Sequence, residues 1–192
     1  MKNFKSGRYV QQGHYKSFQP NPINRAWVLD NMELIQLLGQ ADRELGRLDM
    51  YSDYIPNIDL FISMHVLKEA TQSSKIEGTQ TNMEEALLEK EDVAPDKRDD
   101  WEEVQNYVAA MNEAIAKLHT LPFSARLVRA AHKTLLRGVR GKHKQPGEFR
   151  RSQNWIGGAT ISDAVFVPPV HTSIGELMGD IDTTKLIKYG DS

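Results

Sequence analysis

The residues best placed for chemistry lie in Lys68-Glu-Ala-Thr-Gln-Ser-Ser-Lys-Ile-Glu-Gly78. The run predicts the last three turns of a helix ending at Gly78, the residue type that best tolerates a left-handed C′ position. Ser73 and Glu77 are four apart and share one helical face. A carboxylate on the last turn is poorly placed for stability, because the helix C-terminus already carries partial negative charge. A cation opposite Glu77 would offset that cost, so the rest of the chain is read as the frame that holds this carboxylate.

Other chemistry finds little footing. The six histidines are scattered, and the His65/Glu69 pair has metal-ligand spacing without a third ligand, so no metal site is expected. No Ser-His-Asp signature, phosphate-binding glycine loop or dinucleotide fingerprint is present. Nine Lys/Arg between Arg126 and Arg151 face a single acid, Glu148. One reading of that stretch is nucleic-acid binding; the other, favoured by a net charge of −2 for the whole chain, is a solvated face or one paired with the acidic Glu84–Glu103 stretch.

The elements that position these residues are helical. An extended arm with Phe4, Tyr9, Tyr15 and Phe18 is expected over Met1–Asn24. Asn24 would cap a helix from Arg25 to about Met50 with an apolar stripe at Met32, Ile35, Leu38, Ala41, Leu45 and Leu48. A second helix runs from Ile58 or Asp59 to Glu77, with Ile62, Val66, Ala70 and Ser73 on one face. Thr81-Asn-Met-Glu84 reads as a capping box for a short helix to about Lys90. Trp101, Val104, Val108, Met111, Ile115 and Leu118 point inward from a helix ending at His119. Pro122 breaks the chain and Ser124 starts the next helix, which ends at Gly138. The helical pattern stops at Gly141. Gln153–Ile156 and Ala164–Val167 read as the strands of a β-hairpin closed by Pro168-Pro169, and Ser173 starts one more helix. The fold class is mainly α: a helical bundle with one β-hairpin. The absence of cysteine, of a signal-peptide core and of a membrane-spanning run makes a cytoplasmic, non-membrane protein the expectation.

Several pieces taken together resemble the Fic (filamentation induced by cyclic AMP) family of protein adenylyltransferases, in the class whose inhibitory helix precedes the catalytic core. Ser-Gly-Arg-Tyr-Val at 6–10 with Phe18-Gln-Pro20 is similar to the family's N-terminal region. Thr71-Gln-Ser-Ser-Lys-Ile-Glu-Gly78 is similar to the inhibitory motif, Ser/Thr-x-x-x-Glu-Gly/Asn. Pro146–Gly158, Val165–Pro169 and Gly175–Met178 resemble the segments entering and leaving the family's flap hairpin. The resemblance implies an N-terminal region with the inhibitory helix over 1–95, the first part of a Fic core including the flap over 96–182, and a divergent tail over 183–192.

It further implies AMP transfer from ATP, with magnesium, to a hydroxyl side chain of a target protein. Ser73, Glu77 and Gly78 would form the inhibitory motif, with Glu77 pairing to the arginine that orients the γ-phosphate. Ile156, Gly157 and Gly158 would lie near the nucleotide base. Gln153, Asn154, Trp155 and Phe166 would belong to the flap on which target peptides add by strand pairing. The family's catalytic motif, His-Pro-Phe-x-Asp/Glu-Gly-Asn-x-Arg-x-x-Arg, does not occur in these 192 residues. The expectation is therefore a chain ended before that motif, with an incomplete core, no catalytic residue, no productive binding of ATP or magnesium, and exposed apolar surface that favours homo-oligomers or docking of the missing core. An inhibitory module acting in trans on a Fic enzyme is the alternative.

Overall fold

A computed structural model describes residues 5–24, 30–138 and 145–182 of the chain. Six helices and one two-stranded antiparallel hairpin make up its regular structure. The expected class, mainly helical with a single hairpin, holds, but the hairpin lies elsewhere in the chain. It is formed by β1 (Gly7–Gln12) and β2 (Tyr15–Pro20), with Tyr9 opposite Phe18 and Gln12 opposite Tyr15. The extended arm is thus a folded hairpin. Its two-residue loop has Gly13 at φ +61°, the positive φ that a type II′ turn needs at its first central position. Neither strand alternates apolar with polar side chains (Tyr9 is beside Val10 and Lys16 beside Ser17), so no period of two is visible in the sequence.

The second expected hairpin, over Gln153–Ile156 and Ala164–Val167, is reduced to a single bridge between Ile156 and Phe166. The amides of Val165 and Phe166 both donate to the Ile156 carbonyl, at 2.9 and 3.1 Å. Gly157 and Gly158 follow at once with φ of +71° and +77°, which turns the chain out of the ladder. Pro168 and Pro169 remove amide donors on the other side.

The chain divides into two compact units: Met1–Val28 with Thr120–Leu127 and Glu148–Ser192, and Leu29–His119 with Val128–Gly147. In the second, α1 (Met32–Ser52) is capped by Asn31, whose side chain accepts from the amides of Glu33 and Leu34. Asn24 is not the cap; residues 25–29 lie outside those described. The stripe Met32, Ile35, Leu38, Ala41, Leu45 and Leu48 buries nothing within the unit, for no residue of α1 is buried. Next, α2 (Ile58–Ile76) is capped by Asn57 and buries Leu67, Ala70, Thr71 and Ser74. That face is rotated from the expected Ile62–Val66–Ala70–Ser73 line, and half of it is hydroxyl, so α4 can approach closely. Thr71 Oγ1 satisfies itself on the Leu67 carbonyl at 2.8 Å.

The short helix α3 (Met83–Ala86) starts one residue later than expected and ends four residues earlier. Asn82 and Glu85 form the capping box, whereas Thr81 is buried and its hydroxyl bonds none of the helix amides. Helix α4 (Arg98–Leu118) buries Val104, Asn106 and Ala110, whereas Met111, Ile115 and Leu118 are exposed. Leu67, Ala70, Ala86 and Val104 form the core cluster, with Met83, Tyr107 and Val108 packed around it. Helices α5 (Ala125–Leu135) and α6 (Ile174–Gly179) complete the set. Ser124 caps α5 as expected, accepting from the Leu127 amide at 3.4 Å. No helix among the described residues is long and apolar enough to cross a membrane.

Lys97 donates to Glu85 Oε1 at 2.5 Å, tying the start of α4 to α3. This bond, with the Asn82 amide, lowers the Glu85 carboxyl from its ordinary value, and the same bond raises Lys97. A lowered carboxyl contributes stability that is present above its unfolded pKa and lost as pH falls through the folded one. A raised ammonium contributes stability that is lost only as pH climbs past its own range. Lys97→Met is therefore expected to lower the melting temperature at pH 7 and to lower it less at pH 3, measured by circular dichroism at both pH values.

Candidate functional site

The end of α2 is built as a Schellman motif. The Thr79 amide donates to the Ser74 carbonyl and the Gly78 amide to the Lys75 carbonyl, both at 3.1 Å, and Gly78 sits at φ +100°. Glu77 is the residue in the C-cap, at φ −83° and ψ 0°. Its backbone is fixed from both sides while its side chain is exposed. The loop beyond is pinned to α4, since the Gln80 amide donates to Asp100 Oδ2 at 2.7 Å. A Cβ at residue 78 would meet nothing within 4 Å, so only the backbone conformation demands glycine there. Gly78→Ala is expected to cost about 1–2 kcal/mol, read as a fall of roughly 2–8 °C in melting temperature, and Gly78→Asn to recover part of it.

Ser73 and Glu77 both line one cavity of about 480 Å³ within this unit. They do not bond each other: Ser73 Oγ donates to Glu69 Oε1 at 2.7 Å, one turn back. Asp99, Glu102 and Glu103 of α4 face the same space, Arg137 supplies its positive side, and the His132 ring lies beside it. Lys90 reaches Glu102 at 3.4 Å. Glu77 forms no ion pair among the described residues, although Arg137 lines the same cavity. Among the described residues, then, no cation engages it.

Two wall residues escaped the sequence reading. Asn106 is buried and donates through Nδ2 to the Arg137 carbonyl at 2.6 Å, which satisfies a backbone acceptor just beyond α5. The available signal was an asparagine in mid-helix between Val104 and Val108, where its propensity is poor and its amide needs a partner. His132 Nδ1 accepts from the Gly147 amide at 3.0 Å, so in the neutral ring the proton sits on Nε2. His65, the metal candidate, instead directs Nδ1 at the Phe61 carbonyl (2.9 Å) and lies against the Phe61 ring. Its supposed co-ligand Glu69 is the acceptor for Ser73. No group of His, Asp and Glu among the described residues could hold a metal ion.

The flap residues belong to the other unit. Gln153 Nε2 donates to the carbonyls of Asn154 and Pro168, at 3.1 and 3.2 Å, and so ties the entering segment to the leaving one. Arg150 donates to the Ser152 carbonyl at 2.9 Å and also to that of Pro169. Partial burial lowers its guanidinium from the ordinary value. Trp155 and Ile156 are exposed, and Phe166 is half-buried with its ring 6.0 Å from that of Phe18. Gly157 and Gly158 are both close-packed: a Cβ would meet Val165 Cγ2 at 2.7 Å or the Asp163 carbonyl oxygen at 2.4 Å. In the basic stretch, Arg129 and Arg150 each hold a backbone carbonyl, Arg129 that of Gly147 at 2.7 Å, which makes them framework. Residues 139–144 of that stretch lie outside those described.

The structure therefore brings Ser73, Glu77 and Gly78 together at one helix end, and Gln153, Asn154, Trp155, Ile156, Gly157, Gly158 and Phe166 together in one loop region. Each group falls within a single compact unit. Residues 35–116, from within α1 to within α4, match the family model described as Fic/DOC family N-terminal. The match contains the whole of α2 and its terminal Glu77-Gly78. None of the curated proteins compared with the chain matches it.

Proposed function

We propose that this chain is the regulatory and target-docking portion of a Fic-type protein adenylyltransferase, in which Glu77 clamps an arginine of a catalytic core. The observation that carries the reading is a carboxylate held at an unfavourable helix end by a well-formed C-cap, exposed, and without an ion pair among the described residues. Free carboxylates at helix C-termini cost stability, so retaining one in a rigid setting calls for a partner. An arginine is the best match, because two parallel N–H···O bonds fix geometry as well as charge. Ser73, bonded back to Glu69, stiffens the turn that carries the clamp, and Gly78 sets its direction.

Whether the nucleotide fits can be judged from charge. Four carboxylates, those of Glu77, Asp99, Glu102 and Glu103, face the cavity beside the clamp, against the guanidinium of Arg137. That excess of negative charge does not fit a triphosphate, and no chemistry of ATP is assigned to it. Glu77 acts on the nucleotide indirectly, by occupying the arginine that would orient it. Ile156, Gly157 and Gly158 are proposed as the base-side contact in an assembled enzyme, and Gln153, Asn154, Trp155 and Phe166 as the docking flap. The general base, a histidine in the family, comes from outside these 192 residues.

The test is suppression in trans. The chain is added to a Fic adenylyltransferase that carries the His-Pro-Phe motif but no working inhibitory glutamate, and transfer of labelled AMP to protein is followed. The expected result is a saturable fall in transfer rate; an unchanged rate at a large excess of the chain would overturn the reading.

A further inference from the structure

We infer that the acidic cavity beside Glu77 binds a linear polyamine, a chain of ammonium groups separated by three or four methylenes. The cavity, about 480 Å³, lies within one compact unit and is of the size that holds small organic ligands.

The first argument comes from two buried side chains in its wall. Ser74 and Asn106 are each 8% exposed, and both line the cavity. Asn106 commits Nδ2 to the Arg137 carbonyl, while its Oδ1 accepts nothing among the described residues. Ser74 Oγ is likewise without a partner there, unlike the hydroxyls of Thr71 and Ser73, which are held by Leu67 and Glu69. Buried polar atoms ordinarily find a partner. Neither of these two is sealed from solvent, so both are presented to whatever fills the cavity.

The second argument is the spacing of the acids. Asp99, Glu102, Glu103 and Asn106 stand at i, i+3, i+4 and i+7 of α4 and share one helical face. Successive rungs of that ladder are therefore about 4.5–6 Å apart along the axis. Nitrogens three or four methylenes apart repeat at a similar interval, so consecutive ammonium groups can meet consecutive acceptors. Tyr107, Leu135 and Leu136 line the same space and offer apolar surface to the methylenes. A metal ion suits the ladder poorly, because rungs a turn apart do not converge on one point, and no group of His, Asp and Glu among the described residues could hold one. Lys90 reaches Glu102 at 3.4 Å, but Asp99 has no ion pair among the described residues. With Glu77 at the helix end, four carboxylates face the single guanidinium of Arg137.

The probe is spermidine, titrated into the full chain by calorimetry, with magnesium chloride and n-butylamine as controls. Spermidine is expected to bind at least tenfold more tightly than either control and to weaken as sodium chloride rises. Asp99→Asn, a change at an exposed position, is expected to weaken it at least fivefold with the circular dichroism spectrum unchanged. Amide shifts in the NMR spectrum should fall on Ser74 and Asn106. No binding at millimolar spermidine, equal affinity for magnesium, full affinity in Asp99→Asn, or shifts that spare Ser74 and Asn106 would overturn the proposal. The titration contains no Fic enzyme, so its failure leaves the clamp reading intact, and failure of suppression in trans leaves this site intact.

Discussion

Glu77→Gly is expected to remove at least nine-tenths of the suppression that the chain exerts on a Fic enzyme, while leaving its own fold as stable or slightly more so. The two halves of that result have different causes. A charge-assisted hydrogen bond contributes about 1.5–3 kcal/mol, which corresponds to a factor of roughly 10–150 in affinity. Glycine at residue 77 loses all of it. The backbone there has φ −83° and ψ 0°, which glycine adopts without strain, and both Schellman bonds use main-chain atoms that the substitution keeps. Removing a carboxylate from the negative end of a helix relieves an unfavourable charge–dipole term. Function and stability therefore move apart, which a merely structural glutamate would not allow. Glu77→Gln separates charge from shape: it should behave like Glu77→Gly if the grip is ionic. Suppression that survives both changes would mean that bulk, not charge, blocks the enzyme.

How much of this was legible in the sequence depended on whether the signal was local. Gly78 announced the end of α2 because a C′ glycine is required by the backbone alone, and the structure places it at φ +100°. Ser124 announced the start of α5 in the same way. Where two local signals competed, the sequence could not choose. Thr81-x-x-Glu84 and Asn82-x-x-Glu85 are both capping boxes, and only the burial of Thr81 decides for the second. For α1 the cap is Asn31, seven residues beyond the Asn24 read from the sequence. Partner-dependent features were out of reach. The buried face of α2 includes Thr71 and Ser74 because α4 lies close, and nothing in α2 itself distinguishes that face from the neighbouring Ile62–Val66 line. The clamp was legible as a motif, whereas the acidic cavity beside it needed α4 and α5 to be folded around the helix end. The N-terminal hairpin was missed because its pairing is carried by main-chain register and one glycine turn rather than by an apolar alternation.

Val104→Asp is expected to unfold the α2–α4 unit at 25 °C, whereas Leu45→Glu should change its stability by no more than about 0.5 kcal/mol. Both residues sit in helical apolar stripes that look alike when read at spacings of three and four. Val104 is 0% exposed, in the cluster with Leu67, Ala70 and Ala86. An aspartate there must either carry an unpaired charge in an apolar setting or take up a proton, and it forfeits the packing of the valine as well. Breaking a buried charge pair costs about 3–5 kcal/mol, and an aspartate with no partner at all should cost at least that much. Whole domains are stable by only about 5–15 kcal/mol, and the cluster around Val104 is small, made of Leu67, Ala70, Ala86 and Val104 among the described residues. Leu45, in contrast, is 63% exposed on a helix with no buried residue, so a glutamate there stays in water. The comparison is made by urea denaturation followed by circular dichroism, with Val104→Ala as an intermediate that keeps the fold measurable. A Leu45→Glu change as damaging as Val104→Asp would show that the α1 stripe is covered in solution. Two mild and equal effects would place the core of this unit somewhere other than the α2–α4 contact.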